Sequence, residues 1–86
     1  MPIISTFFGI VIRMFYREHE PPHFHAEHRG QAAKCNFDGE IVAGYIRSAT
    51  AQDLVRRWAR SHRRELEGNR EKMKVGRALG RIEPLE

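Results

Sequence analysis

The fold is decided by residues 31–46, which read QAAKCNFDGEIVAGYI. Ala33, Cys35 and Phe37 alternate with more polar neighbours, as expected for a strand that buries one face. Asp38-Gly39 follows, and this pair is typical of a two-residue type I′ turn, because both central residues of that turn need positive φ. Residues 40–46 then return as a second strand. This stretch therefore predicts a β-hairpin within an antiparallel sheet.

Two further strands are predicted before the hairpin. Residues 10–16 are rich in β-branched and aromatic side chains, and residues 23–28 alternate between apolar and polar side chains. Pro21-Pro22 excludes a helix between them, and Arg29-Gly30 indicates a tight turn after the second. Together these segments predict a four-stranded antiparallel β-meander over residues 10–46.

The hydrophobic period changes after the meander. From residue 50 to about 75, apolar residues recur at helical spacing, and the pattern keeps its phase through Gly68, where a bend is expected. Residues 76–86 are expected to fold back onto the core. The predicted fold class is α+β: a four-stranded antiparallel meander with one long C-terminal helix packed on one face, in a single domain of residues 1–86.

Charge is distributed unevenly along the 86 residues, whose net charge is +4. Residues 1–46 hold four basic and five acidic side chains, a net charge of −1, whereas residues 47–86 hold eleven basic and six acidic side chains, a net charge of +5. A basic segment of this kind is suited to nucleic acid or to an acidic protein. A chain of this length also buries only a thin core, which places any active site at the surface and makes a homodimer plausible.

The sequence predicts a cytoplasmic protein. Cys35 is the only cysteine, so no internal disulfide can form. The apolar residues 1–12 lack the preceding basic residue and the cleavage site of a signal peptide. No stretch approaches the roughly 20 apolar residues that a membrane span requires, so no membrane association is expected.

Histidines are the strongest candidates for chemistry, and four of the five lie within ten positions: His19, His23, His25 and His28. On a strand, His23 and His25 project to the same side, together with Glu27. Imidazole is the usual general base near neutral pH, and Arg13 on the preceding strand can stabilise a phosphate oxyanion. We therefore predict His23, His25 and Arg13 as catalytic residues. The alternative is a solvated strand face.

A metal site is the second hypothesis for the same histidines. No cofactor is expected, but His23 and His25 could hold a divalent metal if a third ligand came from His62 on the helix. His62 lies within the apolar arc of that helix, where a structural core histidine is the alternative. The helix is expected to pack on Phe24 and Cys35, which would place His23 and His25 on the other face of the sheet.

A ridge of arginines is predicted on the outer face of the helix. Its members are predicted to bind nucleic acid or a protein partner: Arg56, Arg60, Arg63 and Arg64. The alternative is a solvated helix face, because arginine is a good helix former. Cys35 is interpreted as a small buried hydrophobe, not a nucleophile.

The chain resembles a small bacterial family catalogued as domain of unknown function (DUF) 4160. The resemblance is carried by residues 9–14, by the run PPHFHA at residues 21–26, and by Trp58 and His62, and it continues into residues 82–85. It covers nearly the whole chain, with departures at Gly68 and Arg70. Members of this family are short and often encoded beside another small protein, an arrangement similar to toxin–antitoxin pairs. The resemblance implies no catalytic residue.

These observations predict a small basic protein of a toxin–antitoxin-like module that binds or cleaves nucleic acid, with RNA favoured. If the protein is an enzyme, we expect a metal-independent ribonuclease. One alternative is a non-enzymatic, antitoxin-like or regulatory module that binds an acidic protein partner or DNA. The other is a histidine-dependent metal-binding protein.

Overall fold

The computed structural model describes residues 3–15 and 21–85. Its elements follow in chain order as β1 (Ile3–Phe7), β2 (Ile10–Arg13), β3 (Phe24–His28), β4 (Gln31–Cys35), β5 (Ile41–Gly44), α1 (Ala49–Ser61) and α2 (Arg63–Lys74). The predicted α+β class with an antiparallel sheet is confirmed. The predictions of four strands and one long helix are wrong.

Within the described part of the chain, the sheet is an antiparallel meander of five strands in the order β1-β2-β3-β4-β5. The strand missed by the sequence analysis is β1, which pairs with β2 through a two-residue turn at Phe8-Gly9. The predicted strands are also shorter than expected, and Tyr16, the last residue of the first of them, lies outside the described residues. At Asp38-Gly39 only the glycine has positive φ, so the predicted type I′ turn is absent there. Instead, the Asn36 side-chain carbonyl accepts from the backbone N–H groups of Asp38 and Glu40, at 3.0 Å each.

One face of the sheet is covered by the helices. Trp58 of α1 is fully buried, and its ring centroid lies 5.5 Å from that of Phe7 and 5.5 Å from that of Phe24. Cys35 and Leu66 belong to the same core cluster. The helix therefore packs over Phe24 and Cys35, as predicted.

The predicted long helix over residues 50–75 is two helices that meet at His62. Ser48 caps the first, because its Oγ accepts from the Ala51 N–H at 3.0 Å. His62 leaves the helical region at φ −119° and ψ 25° and separates the two helices. Gly68, where a bend was expected, lies within α2. Neither described helix is long and apolar enough to cross a bilayer, and the cytoplasmic location stays a prediction.

The C-terminal tail runs back along the helices to the sheet. The Asn69 side-chain carbonyl accepts from the Gly80 N–H and its amide donates to the Gly80 carbonyl, both at 2.8 Å. Trp58 Nε1 donates to the Glu83 carbonyl at 2.9 Å. Ile82 is buried, and its N–H donates to the Ile4 carbonyl at 2.7 Å. The tail therefore covers part of the β1 edge of the sheet.

The opposite edge of the sheet is different. Strand β5 pairs with β4 on one side and is the last strand of the described sheet. Val42 is 54% exposed, and Tyr45, which follows the strand, is 60% exposed. No charged side chain lies between Ile41 and Tyr45. This edge is therefore apolar as well as exposed.

Candidate functional site

The outer face of the sheet brings together the predicted catalytic residues of β2 and β3. Successive residues of a strand point to opposite faces. Since Phe24 packs on Trp58 beneath the helices, its neighbour His25 points to the outer face. His25 pairs in register with Arg13 on one side and with Lys34 on the other. These three side chains therefore form a line across three strands, which we call the outer-face line.

Arg13 is held by a carboxylate on the neighbouring strand. Its Nε donates to Glu27 Oε2 at 2.8 Å, and the two side chains are 26% and 40% exposed. The contact uses Nε, and no carboxylate among residues 3–15 and 21–85 pairs with the two terminal nitrogens of the guanidinium, which can bind an anion.

His23 lies beneath His25 and is 6% exposed. The ring centroids of His23 and His25 are 5.2 Å apart. The Phe15 ring also contacts His25, and those two centroids are 4.7 Å apart. His23 Nδ1 lies 2.9 Å from the Pro21 carbonyl oxygen. Because a carbonyl can only accept, Nδ1 carries the proton in this contact. The His23 and His25 rings meet edge to face, and the catalytic role of His23 stays a prediction.

The structure separates His62 from the other two predicted metal ligands. The His62 ring lies 5.8 Å from Trp58, on the helix side of the sheet, and its Nδ1 is 2.6 Å from Glu65 Oε2. The structure therefore does not bring His23, His25 and His62 together into a three-ligand site. Within residues 3–15 and 21–85, no group of three or more His, Cys, Asp or Glu side chains could hold a metal ion.

His28, the third described histidine of the cluster, does not join this face. His28 pairs in register with the core residue Ile10 and lies at the turn end of β3, so it does not belong to the outer-face line. His19 lies outside the described residues. The structure therefore places His25 alone among the described histidines in the outer-face line.

The predicted arginine ridge is only partly free of acidic partners. Arg56 lies 3.7 Å from Asp53, and Arg63 forms an ion pair with Asp38 in the β4–β5 turn. Arg60 and Arg64 are exposed, and neither forms an ion pair with a described residue.

The ridge and the outer-face line lie on opposite sides of the molecule. Trp58 and Val55 of α1 pack against the sheet, so α1 covers the inner face and leaves its arginines pointing away from it. The ridge therefore does not extend onto the face of the sheet that carries His25.

Cys35 is not a candidate nucleophile. It lies in the core with 1% of its surface exposed. Burial raises the pKa of the Cys35 thiol to about 11, because the low-dielectric core disfavours the thiolate. A thiol with this pKa stays protonated at neutral pH, which agrees with its interpretation as a buried hydrophobe.

One family model matches most of the chain. Its description is "Domain of unknown function (DUF4160)", and the match covers residues 9–69. The matched region runs from the turn before β2 into α2, so it includes the outer-face line and His62 but not β1 or the tail. No curated protein and no solved structure matches the chain.

Proposed function

The chain belongs to the DUF4160 family of unknown function, and we propose that it is a cytoplasmic, RNA-cleaving protein of a toxin–antitoxin-like module. The observation that carries the proposal is the outer-face line of Arg13, His25 and Lys34 on the side of the sheet that the helices leave uncovered. The module is supported by the gene arrangement that the family resemblance implies. The RNA substrate is supported by the chemistry of the line.

The line supplies one proton acceptor between two cations. Residues directly opposite each other on neighbouring antiparallel strands have Cβ atoms about 5 Å apart. A phosphodiester placed over His25 is therefore within reach of Arg13 and Lys34 together. Glu27 supports this arrangement, because it holds Arg13 through Nε and leaves the fork of terminal nitrogens for two phosphate oxygens.

Cleavage by this line proceeds through the 2′-hydroxyl of RNA. His25 takes the proton from that hydroxyl, and its oxygen forms a bond to the phosphorus. The bond between phosphorus and the 5′-oxygen breaks, and Lys34 gives the departing oxygen a proton. Arg13 stabilises the charge of the five-coordinate phosphorus. The products are a 2′,3′-cyclic phosphate and a 5′-hydroxyl, and proton exchange with water restores His25 and Lys34.

The test is cleavage of a single-stranded RNA, compared with the DNA of the same sequence, in the presence of a chelator. We expect the RNA alone to be cut and to carry a 2′,3′-cyclic phosphate, because DNA lacks the attacking hydroxyl. His25→Ala is expected to lower the rate by about 10²–10⁴-fold, the usual contribution of a general base. His62→Gln, on the far side of the sheet, is the matched control and keeps the wild-type rate.

Two results would overturn the proposal. One is a wild-type protein that cuts no RNA although its fold is intact by circular dichroism. The other is a His25→Ala variant that cuts RNA as fast as the wild type, which would trace the activity to a contaminating nuclease.

A non-enzymatic module is the second candidate, favoured by the exposed Arg60 and Arg64 on α1 and α2. Two exposed guanidinium groups without ion pairs among the described residues suit an acidic protein or the backbone of DNA. Charge reversal, as Arg60→Glu with Arg64→Glu, is expected to abolish binding to the product of the neighbouring gene. A tight complex that this double variant loses, without turnover of any nucleic acid, would replace the cleavage function with this one.

A further inference from the structure

Two tight turns of the sheet carry residues that do not favour their backbone conformation. Phe8 has φ 48° and Arg29 has φ 50°, and each is followed by a glycine with positive φ. They are the only non-glycine residues with positive φ among residues 3–15 and 21–85. Turns of this type favour Asn, Asp or Gly at that position, so Phe and Arg are held there at a cost in stability. Strained positions of this kind mark candidate functional sites.

Both turns lie at the same end of the sheet and beside the same cleft. In a meander, the β1–β2 and β3–β4 turns share an end, and the segment from β5 to α1 returns to that end. A cleft of about 450 Å³ lies between them and the first turns of α1, lined by Phe8, His28, Arg29, Ser48, Thr50, Ala51 and Leu54. An adjoining cleft of about 440 Å³ shares three of these residues and adds Gln31 and Arg47. We call the two together the turn-end cleft.

The lining of the turn-end cleft combines positive charge with an apolar surface. Arg29 and Arg47 supply two guanidinium groups, and no acidic side chain of the described residues lines either part of the cleft. The backbone N–H of Arg47 donates to the Gln31 side-chain carbonyl at 2.8 Å, which ties the β5–α1 segment to β4 beside Arg29. Phe8 is 63% exposed and lines the cleft, so its aromatic ring is accessible to a flat ligand. Guanidinium groups bind phosphate, and aromatic rings stack on bases.

We propose that the turn-end cleft binds a nucleotide unit, with its phosphate on Arg29 and Arg47 and its base stacked on Phe8. This site goes beyond the proposed RNA cleavage, because it uses none of the outer-face line and requires no chemistry. Arg29 also lines a smaller depression of about 260 Å³, which Glu27 lines as well, on the way to the outer face. The nucleotide can therefore be free in solution or part of a strand that continues towards His25.

The backbone strain makes a clean test possible. Asn adopts the left-handed conformation more readily than Arg or Phe, so Arg29→Asn and Phe8→Asn remove the proposed ligand contacts while easing the turns. Both variants are expected to unfold at the same or a higher urea concentration than the wild type. A loss of binding in either variant then cannot be attributed to unfolding.

Binding is measured on the full chain by NMR titration with adenosine 5′-monophosphate, adenosine, inorganic phosphate and a four-nucleotide RNA. We expect Arg29→Asn to weaken the monophosphate and inorganic phosphate by at least tenfold. Phe8→Asn is expected to weaken the monophosphate and adenosine but not inorganic phosphate. Arg77→Gln, an exposed arginine outside the cleft, is the matched control and binds all four probes as the wild type does.

The outcomes separate this proposal from the cleavage function. His25→Ala is expected to bind the monophosphate normally, so a failure of cleavage with binding retained would overturn only the RNA-cleaving function. Tighter binding of the four-nucleotide RNA than of the monophosphate identifies a strand as the ligand, and equal binding identifies a free nucleotide. The proposal is overturned if the wild type binds neither the monophosphate nor the RNA at millimolar concentration, or if Arg29→Asn binds both unchanged.

Discussion

Replacing Asn69 by alanine tests how the C-terminal tail is held. Asn69 is buried in α2 and makes two hydrogen bonds of 2.8 Å to the backbone of Gly80. Each bond contributes about 1 kcal/mol net, so Asn69→Ala is expected to lower the free energy of unfolding by about 2 kcal/mol. The free energy of any local opening that frees the tail is expected to fall by the same amount. An energy of about 2 kcal/mol corresponds to a factor of roughly 30 in an equilibrium constant.

Hydrogen exchange of the Ile82 amide measures that opening. This amide donates to the Ile4 carbonyl at 2.7 Å, so it exchanges only when the tail leaves the β1 edge. In Asn69→Ala the Ile82 amide is expected to exchange roughly 30-fold faster than in the wild type. Urea unfolding of the same variant measures the loss in the global free energy of unfolding. Asn36→Ala is the matched control, because it removes two backbone contacts of the β4–β5 turn and leaves the tail intact.

Either of two results would refute this reasoning. If Ile82 exchanged at the same rate in Asn69→Ala as in the wild type, the two bonds to Gly80 would not hold the tail. If Asn36→Ala accelerated Ile82 as much as Asn69→Ala did, the tail would open only when the whole chain unfolds. The expected pattern is acceleration in the first variant alone.

Three further predictions concern stability. Gly68→Ala should raise the free energy of unfolding, measured in urea, by about 0.5–1 kcal/mol, because the position is exposed in the middle of α2 and the added Cβ meets no neighbouring atom within 4 Å. A lower free energy of unfolding would contradict a regular helix at this position. Gly44→Ala should instead destabilise by roughly 2 kcal/mol or more in the same assay, because φ is +81° and the new Cβ would lie 2.5 Å from the Ala32 carbonyl oxygen; wild-type stability would contradict this strain. The Cys35 thiol, with its pKa raised from 9.0 to about 11, stays protonated in the folded chain after it ionises in the unfolded chain, so stability falls as pH rises from 9 to 11. The loss should reach about 2 kcal/mol at pH 11 relative to Cys35→Ala, and equal losses in both proteins would exclude Cys35 as the cause.

The sequence predicted which side chains lie on each face of the sheet better than it predicted how many strands the sheet has. Alternation alone placed Phe24 under the helices and His25 on the outer face, because side-chain direction follows directly from the strand period. Strand β1 was missed because Phe8-Gly9 does not resemble a turn signal, and phenylalanine rarely adopts positive φ. Asp38-Gly39 predicted the right hairpin through the wrong turn, since the Asn36 side chain organises that connection.

Partners across the sheet and along the helix were harder to predict. The Arg13–Glu27 contact depends on the register of β2 and β3, which a single sequence does not determine. Helical propensity pointed to Gly68 as the place for a bend, yet the chain leaves the helix at His62. Gly68 is exposed and has open space around it, so the glycine destabilises α2 only through its low intrinsic helix propensity. The turn-end cleft could not be foreseen, because it joins two turns and a helix start that are distant in sequence.

The unequal edges of the sheet set a limit on how many chains could share it. At β1 the tail occupies the Ile4 carbonyl, whereas β5 presents Val42 and Tyr45 beside a row of strand backbone. Edges of the latter kind are templates for pairing with another strand. Pairing of two molecules through β5 would use the exposed edge of each, and a third molecule would have to displace the tail from Ile4 before it could add along β1. Because the tail covers part of the β1 edge, pairing through β5 favours a dimer over a fibre.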